Sequence, residues 1–139
     1  MKHRPIKRRN FLRTAGAGLA VPLIAPGLGR AASTAKNGKL QHACIGVGGM
    51  GGQDLRQFLA HGGTEVVAIC DVDSQRLEEA KKLAPQARAY SDWRELLEKE
   101  GAKIDSVNVA VPDHMHAAVA MVAMRAGKQV FVEKPLALT

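Results

Sequence analysis

The run Cys44-Ile45-Gly46-Val47-Gly48-Gly49-Met50-Gly51 most constrains what this chain can fold into. An apolar strand leads directly into Gly-x-Gly-x-x-Gly. The next apolar run, Val66-Val67-Ala68-Ile69-Cys70, ends on Asp71, 20 positions after Gly51. A glycine fingerprint alone is weak evidence. Placed after a strand, at the start of a helix and with an acid at this distance, it marks a dinucleotide-binding βαβ unit. A glycine-rich turn that binds nothing would leave the spaced acid without a reason.

Each glycine has its own physical role. Gly46 permits the tight turn at the strand's carboxyl end. Gly48 lacks a Cβ, so a pyrophosphate can approach the backbone. Gly51 lets the following helix pack on the strand. Gly49 and Met50 complete the loop and belong with it as cofactor-binding positions, without separate roles. The helix opening at the loop directs its unpaired N–H groups and positive dipole end at phosphate.

Asp71 at the end of the second strand is suited to accept hydrogen bonds from the adenosine ribose hydroxyls. It would repel a 2′-phosphate, so NAD is expected over NADP. Asp73 reads better as a helix cap before Ser74-Gln75-Arg76-Leu77. Arg76 could meet a 2′-phosphate and ranks second to Asp71.

The N-terminus carries a different signal. Lys7-Arg8-Arg9-Asn10-Phe11-Leu12-Arg13 resembles a twin-arginine export signal. The apolar stretch behind it, broken by Pro22 and Pro26, is too short and interrupted to span a membrane. Residues 1–35 are read as signal peptide and junction, implying the twin-arginine export machinery as a partner and a periplasmic or otherwise exported destination. The competing reading is a basic tail that binds acidic partners. Residues 1–39 hold nine Lys or Arg and no acid, leaving 11 basic residues against all 13 acids in the remainder. The net charge of +7 therefore belongs to the leader and is no argument for nucleic-acid binding, which needs a basic face on the folded domain.

Residues 36–139 then form one domain, with room for one modest core. Cys44 and Cys70 both fall in buried strands. They read as inert core thiols, with a disulfide between neighbouring strands left open. No metal site is expected. Strands are predicted over 40–47, 64–71, 87–90, 106–111 and 129–133, and helices over 51–61, 74–83, 92–100 and 114–126. This alternation predicts an α/β, doubly wound parallel sheet of Rossmann type. Ligands sit at the carboxyl ends of such strands, where Gly46, Asp71, Val111-Pro112 and Glu133-Lys134-Pro135 all fall. A lysine on that edge can donate to a substrate hydroxyl or carbonyl; the plainer reading of Lys134 is a solvated surface residue.

Val111-Pro112-Asp113-His114-Met115-His116-Ala117, followed by Ala126-Gly127-Lys128-Gln129-Val130-Phe131-Val132-Glu133-Lys134-Pro135-Leu136, resembles the Gfo/Idh/MocA oxidoreductases from about Leu40 onward. The resemblance implies that Gly46, Gly48 and Gly51 form the phosphate loop and Asp71 the ribose acid. It puts Pro112 at the edge of the nicotinamide pocket and His116 on the next helix as a cofactor-binding position. Lys134 would be the catalytic lysine that contacts substrate, with Glu133 and Pro135 shaping its turn. Asp113 stands where many members have Asn. The resemblance also implies a second, α+β substrate domain carrying the acid/base, absent from residues 36–139, so the domain reads as truncated at its C-terminal end. Three functions follow: the nucleotide-binding part of an exported NAD-dependent oxidoreductase acting by hydride transfer on a sugar, polyol or related hydroxyl compound; an NAD-dependent, redox-neutral glycosidase of the same fold; or a non-catalytic nucleotide-binding remnant. Homo-oligomers of a complete protein are compatible with all three.

Overall fold

The computed structural model describes residues 38–137; the expected leader over residues 1–35 lies outside them. The elements run β1 (Leu40–Ile45), α1 (Gly49–Ala60), β2 (Thr64–Cys70), α2 (Ser74–Leu83), β3 (Arg88–Tyr90), α3 (Trp93–Glu100), β4 (Ser106–Val109), α4 (Asp113–Arg125) and β5 (Gln129–Val132). The strands form one sheet in the order β3-β2-β1-β4-β5. All four pairings are parallel. This is the expected Rossmann arrangement, with the chain reversing its direction of travel across the sheet between β1 and β4.

Burial follows this order. The inner strands β1 and β4 are buried almost throughout, whereas the edge strand β5 alternates between exposed and half-buried positions. Cys44, Val47, Leu55, Val66, Ile69 and Ala80 build the core under α1 and α2 on one face. Ala43, Ile45, Cys70, Leu96, Val107, Val109, Val119 and Ala123 build the other, under α3 and α4. The alternation of strand side chains thus sends Cys44 and Cys70 to opposite faces. Both thiols are free and buried, which closes the question of a disulfide between them.

The helix ends have local causes. Asp73 caps α2 by accepting from the amides of Gln75 (2.9 Å) and Arg76. Asp92 caps α3 by accepting from Arg94 N (2.8 Å). Gly127, at φ +74°, stops the chain after α4. The strand ends are shorter than expected. β1 stops at Ile45 because Gly46, at φ +83°, turns the chain out of the sheet. β4 stops at Val109, with Ala110 N donating to Ile45 O at 2.8 Å before the chain leaves the ladder.

At the end of α3, Glu100 is buried beneath Arg88, Tyr90 and Lys103. Its carboxylate accepts from Tyr90 Oη at 2.6 Å and pairs with both cations. A buried carboxylate needs such partners. This network ties β3 to α3, and Tyr90 also meets the ligand edge, its carbonyl accepting Asp71 N at 3.2 Å.

Candidate functional site

The carboxyl edge of the sheet carries a groove of about 430 Å³. Gly46, Gly48, Asp71, Arg76, Trp93 and Pro112 are among the residues that line it. The groove lies across the point where the strand order reverses, as expected for a ligand site in an open parallel sheet.

Close packing explains two of the loop glycines. A Cβ on Gly46 would overlap the carbonyl of Ala110, and one on Gly51 would overlap the carbonyl of Gly46. The β1–α1 turn therefore has no room for side chains at these positions. Gly48 is different. Its backbone is extended (φ −96°, ψ 163°), a conformation open to any residue, and the space a Cβ would take is filled by the Arg76 side chain. α1 starts at Gly49, two residues before the expected Gly51. Gly48 offers no side-chain cap and the first turn carries no acid. The amides of that turn are thus left to an anion. The glycine cradle and the uncapped helix start fit a dinucleotide pyrophosphate.

Asp71 is 8% exposed. Its Oδ2 accepts the Val47 amide at 2.9 Å and its Oδ1 accepts the Asp73 amide at 3.0 Å. The acid at the end of β2 therefore anchors the phosphate loop as well as facing the groove. Its remaining lone pairs are those a ribose hydroxyl would use.

Other expected site residues divide into those at the groove and those beside it. Pro112 lines the groove and caps α4, its carbonyl accepting Met115 N at 2.8 Å. Gly49 and Met50, expected in the loop, instead open α1 and are exposed, Met50 by 54%. Glu133 continues the β5 ladder, its amide donating to Val109 O at 3.0 Å. Lys134 is exposed just beyond it. His116 is 2% exposed and does not reach the groove; its Nδ1 meets Pro135 O at 2.7 Å.

Sequence reasoning missed Trp93 and Arg94, which stack 4.3 Å apart and line the groove from α3, and Met115 from α4. The available signal was position: Trp93 follows β3 on the same sheet edge. It also missed a buried polar pair behind the loop. Asn108 on β4 donates to Asp54 Oδ2 on α1 at 3.1 Å. Burial pushes the Asp54 carboxyl up, and the Glu133 carboxylate adds to this against the opposing Asn108 hydrogen bond. Among the described residues no group of three or more His, Cys, Asp or Glu side chains could hold a metal ion.

Comparison with known proteins agrees with this geometry. Residues 40–139 match the GFO_IDH_MocA model, described as an oxidoreductase family with an NAD-binding Rossmann fold. The chain is 38% identical to inositol 2-dehydrogenase of Salmonella paratyphi B over 102 residues, covering 72% of this chain and 30% of that protein. It is 34% identical to a glycosyl hydrolase family 109 protein of Saccharopolyspora erythraea, covering 97% of this chain and 34% of that one. Among solved structures, myo-inositol 2-dehydrogenase from Lactobacillus plantarum superposes with a TM-score of 0.68 at 33% identity, covering 73% of this chain and 30% of that one. The WlbA dehydrogenase of Bordetella pertussis, solved with NADH and UDP-GlcNAcA, gives 0.65 at 28% identity, covering 71% and 30%. The chain spans about a third of the length of the curated relatives it matches. Its glycine loop, spaced acid, sheet order and family match together make it a member of the Gfo/Idh/MocA oxidoreductase family, within the NAD-binding Rossmann half.

Proposed function

We propose that this chain is the nucleotide-binding part of an NAD-dependent oxidoreductase that oxidises a hydroxyl group of a sugar, polyol or related compound. One observation carries the reading. The glycine turn, Asp71, Pro112 and the Glu133-Lys134-Pro135 turn all lie at the carboxyl ends of strands in one parallel sheet.

In this reading Gly46 and Gly51 let the β1–α1 turn close tightly, and the first amides of α1 orient the pyrophosphate. Asp71 accepts from the ribose while holding the loop through Val47. Trp93, Val111 and Met115 give the groove apolar walls that exclude water. Bound NAD supplies the acceptor for the hydride leaving the substrate carbon. The Lys134 ammonium donates a hydrogen bond to the substrate oxygen as that oxygen gives up its proton. The proton acceptor is expected from the family's substrate domain. With that division of labour, the described domain binds nucleotide and positions the hydroxyl, and the second domain completes catalysis.

Arg8-Arg9 and the apolar stretch behind them support export through the twin-arginine route, with the periplasm as destination. A second reading is an NAD-dependent, redox-neutral glycosidase, favoured by the family 109 relative whose match covers nearly the whole chain. Assays of the complete protein separate the two: net NADH formation on sugars or polyols supports the dehydrogenase, and cleavage of a glycoside without net NADH supports the glycosidase. Nucleotide binding without either activity would leave the binding remnant.

A further inference from the structure

We propose that His116 is a positioning residue that fixes the turn bearing Lys134, and not a ligand of the nucleotide. The inference rests on the oxidoreductase reading for the role of Lys134, but its structural content is independent of that reading.

His116 lies on the first turns of α4, 19 residues before Pro135 in sequence, and is 2% exposed. Its Nδ1 is 2.7 Å from the Pro135 carbonyl oxygen. A carbonyl can only accept, so Nδ1 carries the proton and donates. In the neutral ring the second nitrogen, Nε2, is then a bare acceptor, and it has no hydrogen-bond partner among the described residues. The partner of one ring nitrogen decides the tautomer of the other. Neither nitrogen is turned to the groove, which is lined from α4 by Met115 and Val119 instead.

The bond matters because of what it joins. α4 begins at Pro112, on the groove, and its first turn is tied to Pro112 O through Met115 N. The segment after β5 is held to β4 at Glu133, whose amide donates to Val109 O. Lys134 follows, makes no hydrogen bond or ion pair among the described residues, and is exposed. Pro135 has no N–H and cannot extend the ladder. The His116 bond is therefore the side-chain contact that returns the chain to the domain immediately after Lys134. It sets the position of Lys134 relative to Pro112 from below.

The test uses the 139-residue chain, labelled with ¹⁵N, and needs no turnover. The proposal predicts a ring spectrum with Nδ1 protonated and Nε2 bare, unchanged in tautomer when NAD is added to saturation. In His116→Ala the Lys134 and Leu136 amide resonances should shift. In His116→Asn, whose side-chain amide can donate from nearly the same place as Nδ1, they should return most of the way. A loss of folding alone would not distinguish these two variants in that manner. An Nε2-protonated ring in the free chain, a ring whose nitrogen shifts move on NAD binding as a direct ligand's would, or unperturbed Lys134 and Leu136 amides in His116→Ala would each overturn it. If His116→Ala fails to fold, the wild-type tautomer and its response to NAD still decide. Failure of the wild-type chain to bind NAD would refute the nucleotide-binding role and leave the tautomer result standing by itself.

Discussion

The Asp71 carboxylate accepts the backbone amide of Val47 at 2.9 Å, so the acid that ends β2 is latched to the loop that ends β1. Its other oxygen accepts the amide of Asp73 at 3.0 Å. One side chain therefore shapes the glycine turn and faces the nucleotide groove. Asp71→Ala should lose both functions together. Two charge-assisted backbone bonds at a buried site suggest a stability loss of about 2–4 kcal/mol, read by urea unfolding, with weaker NAD binding in the fraction that folds. An Ala variant of native stability would show that the latch is not needed.

Nucleotide choice should follow the same residue. The chain is expected to bind NAD more tightly than NADP by at least tenfold, about 1.4 kcal/mol. Arg76, packed over Gly48 and paired with Asp73 at 3.4 Å, is the cation a 2′-phosphate would meet. Arg76→Ala should lower NADP affinity further, widening the ratio. Calorimetric titration with both nucleotides checks this, and a preference for NADP in the wild-type chain would reverse the assignment.

The loop glycines should separate into two kinds. Gly51→Ala drives a methyl into the Gly46 carbonyl. The neighbour is backbone and cannot swing away, so the variant should lose about 3 kcal/mol or more, the upper range for overpacking. Gly48→Ala meets only the flexible Arg76 side chain and has an ordinary backbone conformation. It should keep its stability to within about 1 kcal/mol. Thermal unfolding of both variants decides the order.

Stability should fall in mild acid because of His42. The ring is buried against Phe58, with ring centroids 3.9 Å apart, and its Nδ1 is 2.7 Å from Ser106 Oγ. Burial pushes its pKa down to about 4, whereas in an unfolded chain it titrates near 6.5. The folded value is the lower one, so between these limits the unfolded chain binds more protons. Stability is therefore intact above about pH 6.5 and is lost progressively down to about pH 4. The raised Asp54 carboxyl acts in the opposite sense, so the comparison is made against His42→Phe, which keeps Asp54. The variant should lose less stability between pH 7 and pH 4.5 than the wild type, by about 2.5 kcal/mol. Equal pH slopes would mean that His42 is already charged in the fold or accessible to water.

Export makes a separate prediction. Replacing Arg8 and Arg9 together by lysine should retain a reporter fusion inside the cell, because the proposed export signal depends on the arginine pair and not on charge. Unchanged export of the double variant would refute the leader.

Local patterns carried most of the fold. Helix α2 runs over Ser74–Leu83 as expected because its Asp73 cap and its basic last turn are both local signals. The β-branched run before Asp71 became β2, with its boundary one residue earlier. The glycine spacing located the groove. Contacts between residues far apart in sequence were not legible. Asp54 and Asn108 are 54 positions apart and meet only because α1 folds over β4. Trp93 falls within the helix expected over 92–100, but its place on the groove depends on β3 lying beside β2. His116 was expected at the nucleotide because the family resemblance implies a cofactor-binding histidine on the helix after Pro112. Whether its ring faces the groove or the turn after β5 depends on packing, and here it faces Pro135.

Every role proposed for this domain requires its glycine groove to hold NAD, which is read by calorimetric titration of the 139-residue chain with NAD beside Gly48→Val. Saturable one-to-one binding is expected for the wild-type chain. Gly48→Val should lose at least tenfold in affinity, about 1.4 kcal/mol, with an unchanged circular dichroism spectrum, since the branched side chain displaces the Arg76 side chain that lines the groove while the backbone at Gly48 accommodates it. A well-folded wild-type chain that takes up no NAD, or a Gly48→Val variant that binds it as tightly, would mean that the groove is not the nucleotide site.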